Sequence, residues 1–258
     1  MRYALHAEWT KLRTLASTCW LLLAAVALTV AVSAAVAAAT SCPAGHCAED
    51  PARISLTGIY LGQAVVAVMA VMVISAEYGT GMIRLTLAAM PGRISVLAAK
   101  AAILAGLVLV TGAVAVTTSL LAGRLILPGR GIGPARGYPA LSVADGPVLR
   151  AATGSVLYLA LIALLSLGAA AALREAAAAI GIVLGLLYLF PVIAAMVGSP
   201  DLARHLQQIG PMTAGLAIQA TTSLSSLPIS PWAGLGVTAA WAAGALLLGG
   251  LVFRLRDA

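Results

Sequence analysis

Six stretches of this chain hold no Asp, Glu, Lys or Arg: residues 14–48, 54–76, 101–123, 151–173, 176–200 and 205–253. Each is longer than the roughly 20 apolar residues that cross a bilayer core as a helix. In lipid a chain must satisfy its own backbone hydrogen bonds, so each such run is helical. The period-two alternation of an outer-membrane barrel is absent. Composition points the same way, with 62% hydrophobic and 9% charged residues, where a soluble domain has about half and about a quarter. The sequence therefore predicts an all-α membrane protein, a single transmembrane domain over 1–258. Its six helices are expected near 19–40, 55–76, 98–122, 151–173, 176–197 and 232–253. A cleaved leader ending near "AAVAAATS" is the weaker reading of the first run. Glu8 precedes that run, which is of full span length.

An even number of spans places both termini on one side. If that side is the cytoplasm, the inner segments carry Arg2, Lys11, Arg13, Arg84, Arg93, Lys100, Arg174, Arg254 and Arg256. The longer outer segments carry Arg53, Arg124, Arg130, Arg136, Arg150 and Arg204. The positive-inside bias selects this orientation. The segment 124–150, with four arginines, reads as an irregular external loop, because long loops translocate despite charge. Its glycines echo a phosphate-binding loop only loosely, since no strand precedes them. The net charge of +7 belongs to residues flanking the spans, which meet anionic lipid head groups. No nucleic-acid partner is expected. Arginine outnumbers lysine thirteen to two, a bias that suits a GC-rich bacterial genome.

Placed on charge-free runs, the span interiors lack the carboxylates and cations of ion-coupled transporters and proton relays. No HExxH occurs, and no GxxxxGK[ST] occurs either, so the chain has no P-loop of its own and is not expected to be an enzyme. Mild polar residues remain: Gln63, Thr111, Thr117, Thr118, Ser155, Tyr158, Ser166 and Tyr188. Interhelical hydrogen bonding accounts for such residues. Gln63, Thr111, Tyr158 and Tyr188 are also the candidates for a substrate path. Gly181 and Gly185 have the GxxxG spacing of close helix contacts, within a chain or between two chains. Gly236, Ala240 and Gly244 repeat it in the last span. Pro191 should kink the fifth span.

Cys19 reads as a small buried apolar residue. Cys42 and Cys47 share a short external loop, where a disulfide is the leading expectation. Together with His46 and Glu49 they match no standard zinc spacing, and no metal site is expected. His6, His46 and His205 read as solvated loop residues.

The segment 77–93, "EYGTGMIRLTLAAMPGR", separates the second and third spans. Glu77 falls at the carboxyl end of a helix, where the macrodipole disfavours an anion. It needs a cation, and Arg84, Arg93 and Lys100 are the candidates. Gly79 and Gly81 let the chain turn. "MIRLTLAAM" then forms a short helix with Ile83, Leu87 and Met90 on one face, ended by Pro91 and Gly92. Such an apolar helix must lie on the membrane interface or dock into another protein.

The pattern Glu77, Tyr78, Gly81, Arg84, Thr86, Leu87, Pro91, Arg93 and Lys100 resembles the corresponding segment of ABC exporter permeases of the type-2 class. "LHAEWTKLRTLASTCW" is similar to the leading interfacial helix of that family, with Glu8, Lys11, Arg13 and Trp20. The six-span plan and the ending "PWAGLGVTAAWAAGALLLGGLVFRLRD" extend the likeness to nearly the whole chain. The resemblance implies that 77–93 carries a coupling helix, seated on a separate P-loop ATPase subunit through Glu77, Gly81, Ile83, Arg84, Leu87, Met90, Pro91 and Arg93. It implies a second permease subunit, identical or not, with ATP and Mg on the partner and no cofactor on this chain. It further implies a bacterial plasma-membrane protein with both termini cytoplasmic, and short outer helices within 198–231. The leading helix would present Leu5, Trp9 and Leu12 to lipid or to the spans.

Three functions follow in order. The first is the permease of an ATP-driven exporter for a lipophilic or amphipathic substrate, with Glu77 and Arg84 bracing the hinge. The second is a scaffold or sensor that recruits a cytoplasmic partner. The third is a passive channel.

Overall fold

The computed structural model describes residues 16–42, 50–79, 93–134, 137–139, 141–142 and 144–255. The expected interfacial helix, Cys47, and the coupling helix with Gly81, Ile83, Arg84, Leu87, Met90 and Pro91 lie outside these residues. So does the side chain of Arg93. The described residues are helices and their connections, without a strand. Six helices are long and apolar enough to cross a membrane, and the chain is an all-α, multi-pass membrane protein.

In chain order the helices are α1 (Ala16–Ala39), α2 (Pro51–Ser55), α3 (Ile59–Gly79), α4 (Arg93–Ile126), α5 (Gly146–Leu173), α6 (Ala176–Met196), α7 (Pro200–Ile209), α8 (Pro211–Gly215) and α9 (Pro231–Leu255). Short 3₁₀ turns cover 127–130, 216–219 and 224–226. The spans are α1, α3, α4, α5, α6 and α9. α6 continues through Pro191.

Three boundaries differ from the sequence expectation. Residues 55–58 do not begin the second span. Asp50 caps the separate helix α2, accepting from Ala52 N at 3.1 Å and Arg53 N at 3.4 Å, with Pro51 in the first turn. α4 runs over 34 residues, roughly 50 Å at 1.5 Å per residue, well beyond the hydrocarbon thickness. α5 starts at Gly146, five residues before the charge-free run, because Pro147 fits a helix's first turn. α3 also continues past 76 to Gly79, and the reading that the span interiors lack charge is overturned. Glu77 and Lys100 lie inside α3 and α4 and are buried.

α5 is the centre of the bundle. Its apolar window is 61% buried, against 22% for α1, α6 and α9. Tyr158, Ile162, Ala163 and Leu167 are fully enclosed. Its most extensive contact is with α9, and glycines make that contact close. A Cβ added at Gly168 would lie 2.6 Å from Ala245 O, and one at Gly249 would lie 3.0 Å from Ala171 Cβ. The Gly181/Gly185 row behaves differently: nothing lies within 4 Å of a Cβ built at either position, and the same is true of Gly236 and Gly244. Neither row packs within the described part of the chain.

The link from α5 to α6 is two residues long. Arg174 ends α5 in the left-handed region at φ 59°. Glu175 then caps α6, accepting from Ala177 N at 2.9 Å and Ala178 N at 2.6 Å. A left-handed non-glycine residue costs about 1–2 kcal/mol, so this corner is held by its surroundings. Those surroundings form one of the three polar clusters of the bundle.

Candidate functional site

α3 and α4 both end at the segment 80–92, which defines the proximal end of the bundle. Here Lys100 Nζ meets Glu77 Oε1 at 2.7 Å, with side chains 1% and 7% exposed. Of the three cations nominated for Glu77, Lys100 is thus the one seen beside it, and Arg84 lies outside the described residues. The pair satisfies the electrostatic need of a carboxylate at a helix carboxyl end. It also joins the two helices that flank 80–92. The neighbouring Tyr78 ring meets Phe253 of α9 edge-on, with centroids 6.5 Å apart. The Arg174 guanidinium sits 5.5 Å from the centre of the same ring, a cation–π geometry. α3, α4, α9 and the α5–α6 corner therefore converge where the chain leaves for 80–92.

A second polar cluster lies inside the bundle. Gln63 is fully buried. Its Nε2 donates to Tyr60 O at 3.3 Å and to Met212 Sδ at 3.0 Å. Its Oε1 accepts from the Tyr158 hydroxyl, and the Tyr188 hydroxyl donates to Tyr60 O. Three of the four residues nominated for a substrate path thus meet across α3, α5 and α6, with α8 supplying Met212. Thr111 stands apart. It donates to Leu107 O of its own helix at 2.8 Å and borders a gap of about 10 Å³ between α1, α3, α4 and α5, too small for cargo. The Gln63 amide is committed to protein partners, so the cluster closes the bundle at this level.

The third cluster is at the distal end. The Asp50 carboxylate accepts from Thr221 N, from Thr221 Oγ1 at 2.7 Å and from Thr222 N at 3.1 Å, besides its two helix-capping bonds. Arg150 donates to Ala220 O at 2.6 Å. Trp241 Nε1 donates to Ile209 O at 2.9 Å, and Thr238 Oγ1 to Pro211 O at 3.0 Å. These bonds hold the segment 200–230 against the bundle, with α7, α8 and the 3₁₀ turns where short helices were expected. Cys42 is disulfide-bonded and Cys19 is a free, exposed thiol, not the buried one expected. Cys42, Ile54, Leu127 and Ile132 form a small second core. The expected irregular loop of 124–150 is therefore helical to Ile126 and partly packed beyond it.

Two cavities open at this end, of about 420 and 610 Å³, in the size range of small-molecule sites. They share Arg53, Tyr60, Ser226 and Leu227. Tyr60 and Met212 line the first cavity and also bond Gln63, so the vestibule floor rests on the buried polar cluster. Asp50 and Arg53 were not nominated from the sequence. "EDPAR" carried a legible signal for Asp50, an acidic residue before a proline at a helix start. Nothing local marks Arg53.

Among the described residues no group of His, Cys, Asp and Glu side chains could hold a metal ion. Comparison with models of known protein families and with curated proteins finds no match. The fold and these clusters define a class: a six-span helical membrane protein with a polar vestibule at one end and a buried ion pair at the other.

Proposed function

We propose that this chain is the permease subunit of an ATP-driven exporter of the type-2 class, residing in a bacterial plasma membrane with both termini cytoplasmic. The observation that carries the reading is the residue pattern of 77–93 and its seat. A mostly apolar insert, whose sequence spacing would set Ile83, Leu87 and Met90 on one helix face, departs from two helices joined by a buried ion pair. An insert mounted this way can pass a push from a bound partner into α3 and α4 as rigid levers. Supplying differential contact in two states is the requirement for driving alternating access. The driver is a P-loop ATPase subunit that holds ATP and Mg. The Gly181/Gly185 row, unused among the described residues, suits a second permease subunit, since small residues let helices approach closely. The cargo enters between two such subunits and leaves through the vestibule once the Gln63 cluster parts.

The reading is tested by affinity capture of the tagged chain from detergent-solubilised membranes, with ATP hydrolysis assayed on the captured material. ATPase is expected with the intact chain and absent when Ile83 and Leu87 are both changed to Asp, because two charges cannot enter an apolar cleft unpaired. No ATPase with either chain, under conditions that preserve complexes, contradicts the reading and leaves a scaffold or a channel.

A further inference from the structure

We infer that the vestibule binds the anionic head group of an amphiphile, with Arg53 as its anchor. This rests on the exporter reading only in treating the ligand as cargo; the binding itself does not require it.

Few polar side chains around the 420 Å³ cavity are left without a hydrogen-bond partner. The neighbouring carboxylate, Asp50, already accepts five hydrogen bonds, from Ala52, Arg53, Thr221 and Thr222. Its acceptor capacity is spent on backbone N–H groups and one hydroxyl, and it forms no ion pair with the Arg53 guanidinium. The wall hydroxyls are also committed. Thr213 donates to Gln207 O at 2.8 Å and Ser226 to Ser223 O at 2.8 Å.

What remains uncommitted is the Arg53 guanidinium, the Tyr60 hydroxyl and the Gln207 amide, on three described residues that line this cavity. Guanidinium offers only donors, and the other two can donate. Such a set accepts an acceptor-rich anion: carboxylate, sulfate or phosphate, the first choice of a guanidinium fork. The remaining wall is apolar, with Pro191, Ala194 and Leu216. An anion with an aliphatic tail meets both surfaces, whereas an amphiphilic cation would place its charge against Arg53.

One chemistry has two sources, a free anionic amphiphile or the bilayer's own anionic lipid. The test uses the full-length chain in nanodiscs of phosphatidylcholine, with laurate and methyl laurate as probes. Binding is read as excess over empty nanodiscs. Laurate is expected to bind about tenfold or more tightly than its ester, from hydrogen bonds to a charged group. R53Q should remove that preference and leave the ester unchanged, while R53K retains part of it. The Arg53 side chain is exposed, so unchanged thermal unfolding of R53Q separates lost binding from lost fold. Equal binding of laurate and ester, or R53Q that binds laurate as well as the parent, overturns the inference. In nanodiscs of phosphatidylglycerol, displaced laurate supports the site with lipid as its occupant. Undiminished laurate binding supports it with a free amphiphile. Because no ATPase is present, this outcome is independent of the capture experiment.

Discussion

Replacing Glu77 with Ala is expected to destabilise the bundle by about 3–5 kcal/mol, because it removes the carboxylate in direct contact with a buried ammonium. Lys100 is 1% exposed and its Nζ lies 2.7 Å from Glu77 Oε1. Removing the lysine instead, as in K100M, should cost a comparable amount by taking the contacting cation from a buried carboxylate. The double change E77Q/K100M should recover most of the loss, since an uncharged replacement of a buried pair is often neutral or better. Unfolding of the purified chain in detergent micelles, followed by circular dichroism against denaturant, measures all three. The pattern of two damaging single changes and a mild double change is the signature. If all three variants unfold with the parent, the pair is not buried as described. The same bond bears on function. It fixes the two helix ends between which 80–92 is mounted, so a variant that keeps its fold but lacks the pair should bind an ATPase without transmitting its motion.

Gly168→Leu should cost about 3 kcal/mol or more, the upper end of core overpacking. The new side chain would not meet a flexible neighbour. Its Cβ would lie 2.6 Å from Ala245 O and 2.5 Å from Leu246 N, both backbone atoms of α9. Backbone cannot rotate aside, so α5 and α9 must separate along the most extensive helix contact of the bundle. Gly106→Leu is the control. Nothing lies within 4 Å of a Cβ at Gly106, and the change should leave unfolding nearly unmoved. Parallel losses at both positions would show a general penalty for replacing helical glycine, not a close seam at Gly168.

How much of this was readable in the sequence differs by residue. The six spans were legible because hydrocarbon tolerates so few charges that charge-free runs mark them. Their ends were less so. Reading the span interiors as free of charge assumes that a cation must lie outside the span, but a paired cation can be buried, and Lys100 lies well inside α4, which begins at Arg93. Glu77 announced its need for a cation through its place at a helix end, while three cations met that need equally well on paper. Gln63, Tyr158 and Tyr188 were each visible as polar residues in apolar runs. Their meeting was not, because the bonds span 95 residues for Tyr158 with Gln63 and 128 for Tyr188 with Tyr60. GxxxG spacing marks a helix face smooth enough for close approach but does not say what approaches. The Gly181/Gly185 face is open within the described chain, whereas the tight seam uses Gly168 and Gly249, whose neighbours at that spacing are Ala172 and Ala245 and not glycine. Arg53 was hidden for a different reason: its significance comes from neighbours that are satisfied without it.

The central claim is that 80–92 docks on an ATPase, and in-cell photo-crosslinking tests it most directly. A photoreactive amino acid is placed at Leu87, with a second at Leu224 on the distal surface, which is exposed. After irradiation the adducts are identified by mass spectrometry. The account predicts a protein adduct from Leu87 that contains a P-loop sequence, and none such from Leu224. An adduct to lipid alone from Leu87, with the chain correctly inserted, would make 82–90 an interfacial helix and contradict the account.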